Sequence, residues 1–68
     1  MTKKAKRLFD FLKKYIEKNG MAPSFEEMMA HMELKSKASI FQYLEYLENS
    51  GNITRDKIKS RSIRINNL

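Results

Sequence analysis

The stretch Ser24 to Leu47, SFEEMMAHMELKSKASIFQYLEYL, leaves the chain little freedom in how it folds. Ser24 followed three residues later by Glu27 fits a capping box, and Glu26 with Glu27 places acids in a first helical turn, where the helix dipole favours them. Phe25, Met28, Met29 and Met32 then recur at helical spacing and mark one apolar side. The stripe stops at Met32, and Ser36 offers the N-cap of a second helix just beyond the turn Glu33-Leu34-Lys35. In that second helix Ile40, Tyr43, Leu44 and Leu47 share an inward face. Ala38, Gln42, Glu45 and Tyr46 lie outward, with Ser39 and Phe41 at the borders. Two capped helices, each apolar on one face and joined by so tight a turn, have the layout of a helix-turn-helix, in which one helix braces and the other reads a DNA groove.

The flanks complete this unit. Thr2 can cap a first helix running to about Asn19, with Ala5, Leu8, Leu12, Tyr15 and Ile16 as its stripe, Phe9 and Phe11 beside it, and Lys6, Lys13, Lys14 and Glu17 opposite. Asn19-Gly20 stops that helix, and Met21-Ala22-Pro23 crosses to the next in extended form, since the residue before a proline avoids helix. Gly51 ends the third helix. Beyond it the period changes to short β-branched runs, Ile53-Thr54-Arg55 and Ser62-Ile63-Arg64-Ile65, separated by the basic segment Asp56 to Arg61. The expected fold is mostly α with a small β-hairpin: a winged helix-turn-helix, made of a three-helix bundle plus a two-stranded wing. It is expected as one domain over residues 1–68, with helices at about 3–19, 24–32 and 36–50, a hairpin at about 53–65, and Asn66-Asn67-Leu68 frayed. A chain of 68 residues hides only roughly 60% of its unfolded surface, so its core must be built from few elements.

Composition narrows the function classes. The chain has no cysteine and a single histidine, His31, so disulfides, Cys-based metal sites and His-pair sites are excluded, and a reducing interior is the natural compartment. No apolar run approaches the roughly 20 residues that span a bilayer, and no long apolar stretch follows the basic N-terminus as in a secretory signal. The expected location is cytoplasmic, in a prokaryote or as a viral protein in its host, and associated with the nucleoid. Fourteen Lys and Arg against eight Asp and Glu give a formal charge of +6, which favours a polyanionic partner. No nucleophile is set beside a base, Glu26-Glu27 is explained by capping, and no glycine-rich phosphate loop occurs, so neither enzyme activity nor a cofactor is expected.

The chain resembles the N-terminal DNA-binding domain of LexA-type repressors over nearly its whole length. The resemblance rests on Leu8-Phe9-Asp10 with Leu12 and Ile16, the join Gly20-Met21-Ala22-Pro23-Ser24, Glu27-Met28, Lys35-Ser36, the exit Leu44-x-x-Leu47-x-x-x-Gly51, and the closing run Arg61-Ser62-Ile63-Arg64-Ile65. It implies a winged helix that reads double-stranded DNA with its third helix. Three departures stand out. Glu33 occupies a turn position where the family usually has Gly, and the hairpin loop from Lys57 to Ser62 has no glycine. Ala38, Phe41 and Gln42 stand where the family reads bases with polar and acidic side chains. The docking geometry therefore carries over more readily than any target sequence. LexA-type proteins continue into a linker and a self-cleaving serine/lysine peptidase domain that also dimerises; the 68 residues are expected to be a stand-alone protein without that activity, the alternative being the DNA-binding fragment of a longer repressor.

These readings nominate Ala38, Ser39, Phe41 and Gln42 as base-reading residues. Gln42 can offer donor and acceptor together to an adenine edge, the small Ala38 and Ser39 allow close approach, and Ala38 or Phe41 can touch a thymine methyl. Phe41 has burial in the core as its competing fate. Lys35, Ser36 and Lys37 at the start of the third helix, with Arg55, Lys57, Lys59, Arg61 and Arg64 on the wing, are the expected backbone contacts. Lys3, Lys4, Lys6 and Arg7 touch backbone or are merely solvated. His31 is expected in solvent and the three methionines of the second helix in the core. The expected partner is double-stranded DNA, bound by a sequence-specific regulator, most simply a transcriptional repressor. A weak homodimer, or one formed on DNA, follows from the small surface of a lone domain. The competing function is a winged-helix adaptor that binds a host transcription or replication protein, with Tyr46 as part of a partner surface.

Overall fold

The computed structural model describes residues 2–55 and 63–66. Its elements run α1 (Lys3–Asn19), α2 (Phe25–Met32), α3 (Lys37–Asn49), β1 (Ile53–Arg55) and β2 (Ile63–Ile65). Residues 56–62, with Lys57, Lys59 and Arg61, and the terminal Asn67-Leu68 lie outside the described residues.

Each helix begins on the hydroxyl residue that the sequence offers it. Thr2 Oγ1 accepts from the Ala5 amide at 3.1 Å, and Ser36 Oγ accepts from the Ala38 amide at 3.1 Å. At α2 the capping box is complete: the Glu27 amide donates to Ser24 Oγ at 3.1 Å, and the Ser24 amide donates to Glu27 Oε1 at 2.9 Å. Glu27 has a second task, because its Oε2 accepts the Tyr15 hydroxyl proton at 2.7 Å and so ties the start of α2 to α1.

Each helix is also closed by a left-handed residue just past its end. After α1, Gly20 (φ 73°) donates to the Ile16 carbonyl at 2.8 Å. After α3, Gly51 (φ 79°) donates to Glu48 O at 3.0 Å and Asn52 to Leu47 O at 2.9 Å, the paired bonds of a Schellman motif. The same pair closes α2, from Glu33 to Ala30 O at 3.3 Å and from Leu34 to Met29 O at 2.9 Å, but here the left-handed residue is Glu33, at φ 57° and ψ 39°. The closure turns Leu34 back onto the core. It is the turn that the sequence places at Glu33-Leu34-Lys35, made without glycine.

The core lies where the three helices and β1 meet. Ala5, Leu8 and Leu12 of α1, Met28 and Met32 of α2, Ile40, Leu44 and Leu47 of α3, and Ile53 form one buried cluster, sealed by half-buried Phe9, Phe11, Phe25, Met29, Tyr43, Ile63 and Ile65. Among the described residues no polar side chain is fully buried. The wing is an antiparallel pair in the register Ile53 with Ile65, Thr54 with Arg64 and Arg55 with Ile63. Strand alternation therefore puts the three isoleucines and Arg55 on the helix side, and Thr54 with Arg64 on the other. Asn66 fastens the wing to the exit of α3: its amide donates to Asn52 O at 2.9 Å, its Nδ2 to Gly51 O at 3.2 Å, and its Oδ1 accepts the Thr54 hydroxyl at 3.0 Å. No helix among the described residues is long and apolar enough to cross a membrane.

His31 departs from the expectation of a solvated side chain. Its ring stacks on Phe11 of α1, with centroids 4.1 Å apart and planes 8° from parallel, and its carbonyl accepts from Arg7 Nη2 at 2.9 Å. His31 follows Met28 by three residues, so it shares the edge of the apolar stripe, where Phe11 offers a flat partner.

The left-handed closures generate a paired prediction. An L-residue in this conformation costs about 1–2 kcal/mol, partly offset for Gly by its greater freedom in the unfolded chain. Glu33→Gly should therefore raise the melting temperature by roughly 4–8 °C, the shift that about 1 kcal/mol gives in a domain this small. A Cβ on Gly51 would meet nothing within 4 Å, so Gly51→Ala tests the backbone alone and should lower the melting temperature by a similar amount. Thermal unfolding followed by circular dichroism checks both signs.

Candidate nucleic-acid interface

Burial fixes the roll of α3, and the roll decides which side chains it offers outward. With Ile40, Leu44 and Leu47 fully buried, the helix period puts Ala38, Phe41, Gln42 and Glu45 on the far side, and all four are exposed. Ser39 is half-buried at the border, as is Tyr43. Phe41 is 47% exposed, so of its two candidate fates the core is not the one it takes. Phe25, Lys37, Ala38, Phe41, Gln42 and Glu45 line a shallow, open depression on this face.

The N-terminus of α3 carries the polar and cationic part of the surface. Lys35, Ser36 and Lys37 are exposed and flank the first turn, where helix amides and the dipole favour an anion. On the wing, Arg64 is exposed on the outer face beside Thr54. Three nominated cations, Lys57, Lys59 and Arg61, lie outside the described residues.

Arg55 is engaged. Its Nη2 and Nε donate to Glu48 Oε1 at 3.0 and 3.3 Å, and its guanidinium carbon sits 4.9 Å from the centroid of the Phe41 ring. The arginine and glutamate side chains are only 11% and 24% exposed. Phe41 and Glu48 stand two helical turns apart along one edge of α3, and Arg55 reaches from β1 to both. The sequence carries a signal for the pairing of Glu48 with Arg55, although neither residue alone points to it. Alternation with Ile53 puts Arg55 on the helix side of β1, and Glu48 lies one turn beyond Leu44 on the edge that the wing covers. Tyr15 with Glu27 and Phe11 with His31 had no comparable signal, because each depends on how two helices cross.

The first helix presents a separate basic ridge. Lys3, Lys6, Arg7 and Lys14 are exposed along α1 and border an open depression with Asp10, Phe11 and His31, and Arg7 is bonded to the end of α2. It is not continuous in sequence or fold element with the outward face of α3.

Three helices with a two-stranded wing, and an outward third helix whose start is cationic, define a winged helix-turn-helix domain. The family model of the LexA DNA binding domain matches residues 1–62, and the chain belongs to that family. It is 40% identical over 65 residues to a LexA repressor from Petrotoga mobilis, covering 96% of this chain and 31% of that protein. It is 41% identical over 71 residues to a LexA repressor from Oceanobacillus iheyensis, covering 100% of this chain and 34% of the relative. A LexA repressor from Ruegeria sp. is 37% identical over 65 residues, with 96% and 27% covered. The chain thus spans about a third of the length of the curated relatives it matches.

The Arg55–Glu48 pair, being partly shielded, should contribute about 0.5–1 kcal/mol to holding the wing on α3. A double-mutant cycle with Arg55→Gln and Glu48→Gln, read by chemical denaturation, should return a coupling of that size. Strict additivity of the two losses would show that the contact contributes nothing.

Proposed function

We propose that this chain is a sequence-specific double-stranded DNA-binding module of a transcriptional repressor, acting in the compartment that holds the DNA. The third helix enters the major groove, where Ala38, Ser39, Phe41 and Gln42 meet base edges. Lys35, Ser36, Lys37 and Arg64 meet phosphates, and the loop cations Lys57, Lys59 and Arg61 extend that grip along the backbone. Arg55 contributes by holding the wing and, through it, the backbone contacts beside α3. The observation that carries the reading is the outward face of α3: small, amide-bearing and aromatic side chains exposed at the cation-flanked start of a helix whose other face is buried through Ile40, Leu44 and Leu47. Membership of a family described as DNA binding, and relatives named repressors, support the same reading. A lone domain offers little surface for a strong dimer, so pairing takes place weakly or on the DNA. No step calls for a catalytic group or a cofactor.

The adaptor reading keeps one observation in its favour, the 40% exposed Tyr46 on α3, which no base contact requires. Binding to duplexes selected from a random pool separates the two. On the DNA-binding reading, neutralising about five phosphates gives a log-log salt slope of about −4 to −5. Gln42→Ala should cost about 1–3 kcal/mol on the selected site and relax the preference at one base pair, while Lys35→Ala should weaken all sequences alike and reduce the slope by about one. Binding absent at low salt would contradict the proposal and leave the protein-partner reading.

A further inference from the structure

Phe41 is where this surface departs most from an ordinary polar helix face. A ring 47% exposed forgoes apolar burial that a partner could supply. It is also held in place: the Arg55 guanidinium lies 4.9 Å from its centroid, and that guanidinium is in turn fixed on Glu48 by contacts of 3.0 and 3.3 Å. The ring is therefore presented in one orientation, with the wing side covered and the depression side open.

What could fill that depression is constrained by its lining. Phe25, Phe41 and Ala38 give its lining apolar surface, Gln42 an amide, and Lys37 a cation. Glu45 adds a carboxylate to the lining, which opposes a phosphate there. Apolar surface together with a donor-acceptor amide matches the major-groove edge of an A·T pair, where the thymine C5-methyl lies next to groups that an amide can bond. Phosphates are served by the cations flanking the helix start.

We infer that Phe41, braced by Arg55 and Glu48, is a specificity-determining residue that packs on the C5-methyl of a thymine and so selects thymine over cytosine at one position of the bound site. The inference rests on the DNA-binding reading and names the base feature that its reading face takes. It gives Gln42 a place as well, on the adenine edge of the same or the neighbouring pair.

The test replaces each thymine of a duplex recovered from random-pool selection, one at a time, with deoxyuridine, which removes only the methyl group. Wild-type protein should bind one uridine-substituted position about fourfold more weakly, the worth of burying one methyl-sized group. Phe41→Ala, at an exposed helical site where alanine favours the helix, should bind thymine and uridine equally at that position, and Phe41→Leu should keep part of the difference. Uridine having no effect at any position would overturn the inference while leaving DNA binding intact. A difference that survives Phe41→Ala and disappears in Ala38→Gly would overturn it by moving the methyl contact to Ala38. Failure to bind any duplex at low salt would overturn this inference together with the reading beneath it.

Discussion

The direction in which α3 presents its outward face depends on a turn closed by a residue poorly suited to it. Glu33 adopts the left-handed conformation that Gly20 and Gly51 adopt elsewhere in the chain, and it alone of the three carries a Cβ. The conformation is held because the alternatives are worse. Without the bonds from Glu33 and Leu34 back to Ala30 and Met29, carbonyls at the end of α2 would lose their partners and Leu34 would leave the core. From that closure the chain has only Leu34, Lys35 and Ser36 before α3 begins, so the geometry at Glu33 sets the direction of the helix that follows.

Direction alone would leave α3 free to roll, and the core removes that freedom. Ile40, Leu44 and Leu47 pack with residues of both other helices, and a rotation by one residue, about 100°, would expose them. The wing adds a second constraint from the side. Ile53 is buried in the same cluster, Asn66 is bonded to the exit of α3, and Arg55 reaches Glu48 and Phe41 along one helix edge. The same packing that stabilises the fold thus selects which side chains of α3 face outward.

Much of this was legible in the sequence because it is local. Ser24 with Glu27, Thr2 and Ser36 mark helix starts through bonds spanning two or three residues, and the apolar spacing marks the buried faces. Gly20 and Gly51 mark ends for the same reason. Glu33 is also legible, as a non-glycine residue in a glycine's place. What the sequence left open depends on contacts between elements. Phe41 stood at a border where periodicity could assign it either way, and only the position of Arg55 on the neighbouring strand accounts for its exposed, braced ring. His31 stacks rather than standing in solvent for a related reason: its partner, Phe11, lies twenty residues earlier on another helix. Of the candidate interface, the outward face of α3 was readable from one helix, whereas the role of Arg55 required two elements.

On the proposed reading, the start and outward face of α3, rather than the basic ridge of α1, meet the duplex. Amide chemical shifts recorded while a selected duplex is titrated into isotope-labelled protein test it most directly. The largest changes should fall between Lys35 and Gln42 and at Arg64, with Lys3, Lys6, Arg7 and Lys14 little affected. Changes centred on those four α1 residues, with α3 unmoved, would contradict it.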